Sequence, residues 1–243
     1  MAKTIAVANQ KGGVGKTTTV LNLGAALATA GKKTLLIDLD PQSSLTTGMK
    51  IDPATLKTGS FTLLRTGEAT LLENGKLAVI PTSIDLAGLN LELAARVDTN
   101  GALKDGLEQF QDRFDVILVD CPPSLDKLTI NALMAANYVI IPCQPQPMAV
   151  RGLQLFMETY RQVKRANKGL ELLAIMPTMY NATRTSEKKV LEGMQETFKD
   201  LCLEPLPYRA EYVTASGEYR PVGNGQVAYW QNLAALVVAK IGL

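Results

Sequence analysis

The sequence predicts an α/β fold with one mainly parallel, twisted sheet that carries helices on both of its faces. Two patterns support this prediction. Short runs of β-branched and other apolar residues alternate with helical patterns from one end of the chain to the other. These runs are apolar throughout, which is typical of strands that are buried on both faces of a sheet. Because the chain has 243 residues, 47% of them hydrophobic and 20% charged, we expect a single domain over residues 1–243.

Most of the predicted strands are far enough apart to leave room for a helix between them. We predict strands at residues 4–8, 34–39, 77–80, 116–120, 138–142, 172–178 and 202–206. We predict helices at residues 17–30, 125–136 and 148–166. The last of these helices is amphipathic, since Val150, Leu153 and Phe156 recur at helical spacing on one side. The stretch 50–75 is rich in Thr and Gly and is the least regular part of the chain.

The composition excludes several kinds of chemistry. The chain contains no histidine, which excludes histidine-based triads and histidine metal ligands. Its three cysteines, Cys121, Cys143 and Cys202, are widely spaced in apolar surroundings, so neither a disulfide framework nor a zinc site is expected. The sequence shows no signal-peptide pattern and no apolar run near the roughly 18 residues of a membrane span. We therefore expect a cytoplasmic protein.

The strongest motif is a loop rich in glycine and lysine, which follows the first predicted strand and opens a helix. It reads KGGVGKTTT over residues 11–19, with Gln10 at a position where the usual phosphate-loop pattern has glycine. Glycines let the backbone approach phosphate oxygens, and a helix N-terminus supplies free N–H groups and a positive dipole. Lys16 can then reach the β- and γ-phosphates of ATP, and the Thr17 hydroxyl can bind Mg²⁺. The residues expected to bind the nucleotide here are Gly12, Gly13, Val14, Gly15, Lys16, Thr17 and Thr18.

Two other predicted strands end in aspartates. The second strand ends in DLDPQ, which contains Asp38 and Asp40, and the strand at 116–120 ends in DCPP, which contains Asp120. Because ligands bind at the carboxyl ends of parallel strands, we expect these residues to lie beside the phosphate loop. One carboxylate can hold Mg²⁺ through water, and another can orient the water that attacks the phosphate. We expect Thr17, Asp38 and Asp120 at the metal, and Asp40 and Asp38 in hydrolysis, although a single aspartate at a strand end is often only a turn cap.

Taken together, the segments KGGVGKTTT, DLDPQ, DCPPS and LTINAL (128–133) resemble the ParA/Soj family of deviant-Walker ATPases, within the ParA/MinD superfamily. The resemblance is specific from the first strand to about residue 160 and looser beyond it. It implies a P-loop ATPase that forms a nucleotide-sandwich homodimer with ATP and Mg²⁺. In that dimer Lys11 corresponds to the signature lysine, which reaches the phosphates of the partner subunit. Asp40 matches the family position needed for hydrolysis, and Asp120 matches its Walker B-like aspartate.

The resemblance also implies two partners and a place in the cell. The family binds nonspecific DNA, and hence the nucleoid, as the ATP dimer. A ParB-like or cargo-adaptor protein stimulates its slow ATP hydrolysis. The cargo is left open between a plasmid, a chromosome origin and a carboxysome-like compartment. Because the phosphate loop begins about ten residues from the start of the sequence, no N-terminal helix-turn-helix domain is expected.

The pair of lysines in the loop supports action across a dimer. Lys11 and Lys16 are five residues apart on one tight loop, yet a single phosphate chain needs only one embedded lysine. A second cation is best explained by charge stabilisation in a partner subunit, in the manner of an arginine finger. The alternative is a surface lysine paired with a carboxylate of its own chain.

The last third of the chain departs from the family pattern. The family has an Ile-Pro-Arg-Asn-type stretch where this chain reads LPYRAE at 206–211. We expect Pro207 to frame the adenine, with Met179 or Asn181 opposite. After residue 150 the chain has 12 Lys and Arg against nine Asp and Glu, an excess that a solvated helix surface explains as easily as a DNA site does. The cations expected to contact DNA are Arg184, Lys188, Lys189, Arg209 and Arg220.

Two other functions of related ATPases fit the sequence less well. A MinD-like membrane-associated positioning ATPase would need a basic amphipathic tail. The C-terminal helical pattern instead places Trp230, Leu233 and Val237 on one face, with Lys240 as its one cation, which is typical of a core-packing helix. An iron–sulfur-linked reductase would need two well-placed cysteines in each subunit, and only Cys121 lies near the predicted site.

Overall fold

A mainly parallel sheet forms the centre of the protein in the computed structural model. The structure describes residues 1–95, 99–212, 222–223 and 226–243. The strand order across the sheet is β3-β4-β2-β5-β1-β6-β7, and all neighbouring strands are parallel except β3 and β4. Within the described residues the strands are β1 Lys3–Val7, β2 Thr34–Asp38, β3 Leu72–Asn74, β4 Leu77–Ile80, β5 Val116–Asp120, β6 Tyr138–Cys143 and β7 Glu171–Pro177.

Helices follow most of the strands, as a parallel sheet requires. Over the same described ranges they are α1 Lys16–Thr29, α2 Ser44–Gly48, α3 Ser60–Thr66, α4 Asp85–Ala95, α5 Ala102–Leu107, α6 Lys127–Ala135, α7 Pro147–Ala166, α8 Thr185–Phe198 and α9 Val227–Ile241. Local signals begin several of them. The Asp126 carboxylate accepts from the backbone N–H groups of Leu128 and Thr129 at the start of α6, and proline is the first residue of α7.

Two apolar layers cover the sheet, one on each face. Helices α1 and α9 form one layer, in which Ile5 and Val7 of β1 are buried together with Trp230. Helices α3 to α8 form the other layer, which contains Ala6 of the same strand. Successive strand residues point to opposite faces, and both faces are covered. The central strands β2 and β5 are therefore buried at every position and apolar over most of their length.

The structure confirms the fold class and six of the seven predicted strands to within about two residues at each end. The seventh, at 202–206, is wrong. That segment runs beside β7, and the Leu203 and Leu206 N–H groups donate to Ile175 and Pro177, but it forms only isolated bridges. Pro205 and Pro207 have no N–H group, so a continuous ladder cannot form there.

The structure confirms the predicted helices and adds elements that the sequence did not predict. Helices 17–30, 125–136 and 148–166 correspond to α1, α6 and α7. The irregular stretch 50–75 contains helix α3 and the short edge strand β3, neither of which was predicted. The C-terminal helix packs into the core as expected, since Trp230, Leu233 and Val237 are buried. None of the helices in the described part of the chain is long and apolar enough to cross a membrane.

The topology brings three loops together at one edge of the sheet. β5 lies between β1 and β2, and Asp120 at its end is in register with both Val7 and Asp38. The phosphate loop, the DLDPQ segment and the DCPP segment therefore leave the sheet side by side. This is the carboxyl edge, where ligands bind in α/β proteins.

Candidate nucleotide-binding site

The phosphate loop has the backbone shape that its glycines predict. Gly13 and Gly15 have φ values of 69° and 91°, in the left-handed region that favours glycine. Gly15 is the N-cap of α1, and as a glycine it has no side chain that could cap the first N–H groups of that helix. These N–H groups and the helix dipole therefore point toward the loop, ready for an anion.

Two side chains outside the helix hold the loop in place. The Asn9 amide donates to the Pro142 carbonyl at 2.6 Å and accepts from the Lys11 N–H at 3.1 Å. On the other side, the Thr178 hydroxyl donates to the Val14 carbonyl at 2.8 Å. The loop is thus attached to the end of β6 and to the segment after β7.

A cavity of about 540 Å³ opens above the loop. Its lining includes Asp40, Pro123, Met179 and Tyr212, together with most of the residues predicted to bind the nucleotide: Gly12, Gly13, Gly15, Lys16, Thr17 and Thr18. A smaller apolar cavity of about 60 Å³ adjoins it and is lined by Pro207 as well as by Met179 and Tyr212. The polar cavity suits a phosphate chain, and the apolar one suits the edge of a base.

Two of the predicted nucleotide residues do not line either cavity. The Val14 side chain is fully buried and its carbonyl accepts from Thr178, so Val14 could bind a phosphate only through its backbone N–H. The Asn181 side-chain oxygen instead accepts from the backbone N–H and the hydroxyl of Thr183. Of the two residues expected to face Pro207 across the base, Met179 is therefore the one in position.

Lys16 lies in the floor of the phosphate cavity and is only 6% exposed. Its ammonium donates to the Lys11 carbonyl at 3.3 Å. Burial lowers the pKa of Lys16, and the nearby Asp120, Cys121 and Asp40 raise it. A phosphate beside this buried cation would favour its charged form, as expected for a lysine that binds the β- and γ-phosphates.

Asp120 is a fully buried carboxylate whose oxygens accept no hydrogen bond of full geometry from the described residues, although the Thr17 hydroxyl lies beside it. Burial raises its pKa well above the ordinary value, and the charge of Asp38 raises it further. The Thr17 hydroxyl and the Lys16 ammonium favour the charged form of Asp120 to a smaller extent. An unpartnered buried carboxylate close to a threonine hydroxyl suits a hydrated Mg²⁺, whose waters would donate to it.

Asp38 and Asp40 differ sharply in their surroundings. Both carboxylate oxygens of Asp38 are occupied: Oδ2 accepts from the N–H and hydroxyl of Thr46 at 2.8 and 2.7 Å, and Oδ1 accepts from the Asp40 N–H at 3.1 Å. Burial nevertheless raises the pKa of Asp38 to about 6. Asp40 accepts from the Gln42 N–H and lines the phosphate cavity, which Asp38 does not. The metal and hydrolytic roles expected for Asp38 thus fit Asp120 and Asp40 better.

Lys11 turns away from the phosphate cavity. Its ammonium donates to the side-chain oxygen of Gln144 at 2.7 Å and to that of Gln146 at 3.4 Å. No carboxylate of the described residues lies within ion-pair distance of it. The interpretation of Lys11 as a lysine neutralised by a carboxylate of its own chain therefore does not match the described contacts.

The cations predicted to contact DNA are only partly grouped. Arg184 precedes α8, and its guanidinium pairs with the buried Glu187 at 3.0 Å, while Lys188 and Lys189 are exposed on the first turns of α8. Arg209 is exposed on a segment that pairs with the loop after β7, since Tyr208 N–H donates to the Tyr180 carbonyl. Arg220 lies outside the described residues.

Sequence reasoning missed several residues that shape this site. Thr46, Gln144, Gln146 and Tyr212 hold or line it. The two glutamines directly follow an apolar strand at the carboxyl edge, which is the same signal that indicated Asp120, so they could have been found. Thr46 and Tyr212 have no comparable signal in the sequence.

The fold and the site together define a P-loop nucleoside triphosphatase that has a second lysine in its phosphate loop. Residues 2–172 match a family model described as AAA domain. The chain belongs to the ParA/Soj family of ATPases. It is 42% identical, over an alignment 257 positions long, to the chromosome-partitioning ATPase Soj of Treponema pallidum, and the match covers 100% of this chain and 99% of that protein.

Two solved structures resemble the chain over nearly their whole length. One is cobyrinic acid a,c-diamide synthase from Mycobacterium smegmatis with a bound ATP analog and magnesium, which is 35% identical; the match covers 100% of this chain and 98% of that one, with a TM-score of 0.84. The other is a plasmid partition protein from Borrelia burgdorferi bound to AMPPNP, which is 26% identical; the match covers 99% and 100%, with a TM-score of 0.85.

Proposed function

We propose that this protein is a partition or positioning ATPase that dimerises when it binds ATP and Mg²⁺ and is reset by hydrolysis. The observation that carries the proposal is the position of Lys11. Lys16 already supplies the cation beneath the phosphate cavity, and Lys11 points out of it toward two uncharged side chains. A half-buried ammonium without a carboxylate partner gains most from an anion that arrives with another molecule. The phosphates bound to a second copy of this chain are such an anion.

The three aspartates of the site would have different roles in binding Mg²⁺ and in hydrolysis. Asp120 and Thr17 would hold hydrated Mg²⁺, because the Asp120 oxygens have no other donor. Asp40, which lines the phosphate cavity, would orient the attacking water. Asp38 would position the DLDPQ segment through Thr46 and the Asp40 N–H. Met179, Pro207 and Tyr212 would enclose the base.

Nonspecific DNA is the surface on which the dimer would act. Arg184, Lys188, Lys189 and Arg209 lie on two adjoining segments, and dimerisation would double the number of phosphates that they neutralise together. Each cation alone is too weak for stable binding. We therefore propose that the ATP dimer is the state that binds DNA. In the cell, this dimer would bind the nucleoid in the cytoplasm.

A ParB-like or cargo-adaptor protein would stimulate a slow intrinsic hydrolysis and link the dimer to its cargo. Both the M. smegmatis protein and the T. pallidum relative match the whole chain. We favour partition over the amidation named for the former because the latter, a partition ATPase, is more similar, at 42% against 35% identity. We also favour DNA over a membrane as the surface. The face of α9 that would have to enter a bilayer is buried in the core, as Trp230 and Val237 show.

Sedimentation velocity with ADP and with a non-hydrolysable ATP analogue tests the role of Lys11. We expect the wild type to be monomeric with ADP and Mg²⁺ and dimeric with the analogue. Lys11→Ala should stay monomeric with both nucleotides while still binding ADP. Lys33→Ala, an exposed lysine at the opposite edge of the sheet, serves as the control for lost charge. A Lys11→Ala protein that dimerises like the wild type would remove the basis of the proposal.

A further inference from the structure

Gln144 contacts both the second lysine of the phosphate loop and the loop that encloses the base. It directly follows β6, and its side-chain oxygen accepts from the Lys11 ammonium at 2.7 Å. Its side-chain nitrogen lies 2.8 Å from the Met179 sulfur. The ammonium can only donate, so it fixes which end of the amide faces it, and the NH₂ group must then face the sulfur.

Met179 is the residue through which this contact reaches the nucleotide. It has a φ of 53°, in the left-handed region, and it lines both the phosphate cavity and the smaller apolar cavity. The preceding residue, Thr178, donates its N–H to the Cys143 carbonyl at 2.9 Å and its hydroxyl to the Val14 carbonyl at 2.8 Å. The contact between Gln144 and Met179 therefore lies within a segment attached to both β6 and the phosphate loop.

The uncharged nature of the two acceptors is significant. A carboxylate at position 144 or 146 would form a half-buried ion pair with Lys11. Such an ion pair is costly to separate. An amide oxygen holds the ammonium more weakly and leaves it free to exchange to a phosphate. Among the described residues, both acceptors of the Lys11 ammonium are glutamines. Such weak acceptors suit a lysine that moves to a phosphate when the dimer forms.

We propose that Gln144 is a positioning residue whose amide holds the Lys11 ammonium in the nucleotide-free monomer and links the departure of that lysine to Met179 at the base. When Lys11 leaves, the Gln144 oxygen loses its donor and the amide is free to rotate away from the sulfur. The position of the Lys11 ammonium and the position of Met179 beside the base are then linked through the Gln144 side chain. This inference rests on the proposed function, in which Lys11 leaves for the phosphates of a second copy.

Two substitutions of Gln144 test the inference, because they should change the concentration of ATP analogue needed for dimerisation in opposite directions. Gln144→Glu keeps the shape and adds a charge that should hold Lys11, so that dimerisation requires about tenfold more ATP analogue, the change expected for one strengthened charged contact. Gln144→Met keeps the length but cannot accept from Lys11, so dimerisation should require less analogue than in the wild type. Loss of packing would impair both variants in the same direction. Gln154→Glu places the same charge on the exposed side of α7 and should behave as the wild type.

A second readout does not depend on dimerisation. Mass spectrometry can follow the rate at which an amine-reactive reagent labels Lys11 in the monomer without nucleotide. Labelling should be slower than wild type in Gln144→Glu and faster in Gln144→Met. If the wild type never dimerises but the labelling rates change in this way, the proposed function fails, while the holding of Lys11 by Gln144 in the monomer stands.

The link to Met179 needs its own test. Met179→Leu retains the volume but removes the sulfur acceptor, and its effect on the analogue concentration for dimerisation should not add to that of Gln144→Met, because both break one connection. Equal labelling of Lys11 in wild type, Gln144→Glu and Gln144→Met would overturn the holding role. Fully additive effects of Gln144→Met and Met179→Leu would overturn the link.

Discussion

The buried Asp38 should make the stability of the nucleotide-free protein depend on pH in an unusual direction. Its carboxylate is fully buried, and burial raises its pKa from 3.8 to about 6 in spite of three hydrogen bonds. A carboxyl group whose pKa is raised by folding binds its proton more tightly in the native state. Its contribution to stability is therefore fully present below pH 4 and is lost as the pH rises through about 6. The difference between a pKa of 3.8 and one of about 6 corresponds to roughly 3 kcal/mol.

Asp38→Asn isolates this contribution, because asparagine resembles the protonated aspartic acid and does not titrate. Asparagine carries its own constant cost, since its NH₂ group would face either the Thr46 or the Asp40 N–H. Whatever that cost is, the unfolding free energy of the variant relative to wild type should rise by roughly 3 kcal/mol between about pH 4 and pH 7. The nearby Asp120 carboxylate, whose pKa burial also raises, can spread the change over a wider pH range.

Urea unfolding at a series of pH values, with EDTA and no nucleotide, gives this difference directly. Asp112→Asn, whose carboxylate is 94% exposed, is the matched control and should run parallel to the wild type. A constant difference between Asp38→Asn and wild type would refute the reasoning, and so would a difference that falls with rising pH. Excess Mg²⁺ and ADP should reduce the pH dependence, because bound cations favour the charged forms of nearby carboxylates.

Three further predictions concern function. Lys16→Ala should abolish ATP binding in calorimetry with Mg²⁺, because backbone N–H groups alone cannot balance the triphosphate charge; near-native affinity would contradict this. Asp40→Ala should bind ATP but hydrolyse it at least ~100-fold more slowly, as expected for loss of a water-positioning group. It should accumulate as a dimer in light scattering, and a monomer that has bound ATP would count against the role of Asp40. Arg184→Ala should weaken binding of the ATP dimer to unrelated duplexes about equally and lower the salt slope by roughly one unit in fluorescence anisotropy. A dimer that binds no DNA at low salt would point to a different surface.

The parts of the fold and site that could be predicted are those encoded over short distances. The phosphate loop and the strand ends at Asp38 and Asp120 are each specified by a few consecutive residues, and parallel strands bring such ends together. The segment at 202–206 has the apolar character of a strand, and it fails as one because of its neighbouring prolines. Apolar pattern and hydrogen-bonding capacity have to be considered together at such a place.

The division of roles among the aspartates could not be predicted, because it depends on distant partners. Asp38 and Asp40 are two residues apart, and the sequence offers no reason to prefer either. Thr46, from a short helix, occupies Asp38 and leaves Asp40 facing the cavity. Likewise, Lys11 meets Gln144 across 133 residues of chain, so the resting position of the lysine is a property of the tertiary structure alone.

The attachments of the phosphate loop to Pro142 and Thr178 bear on how the protein tells ATP from ADP. A loop that is already held in shape loses little conformational freedom when phosphates arrive, so the α- and β-phosphates common to both nucleotides should bind with little ordering cost. Such a loop by itself should therefore bind ATP and ADP with similar affinity. In the proposed dimer, discrimination would then arise where the third phosphate lies, from Asp40 and from a lysine supplied by the second copy. The monomer would hold either nucleotide, and pairing with a second copy would be the step that selects ATP.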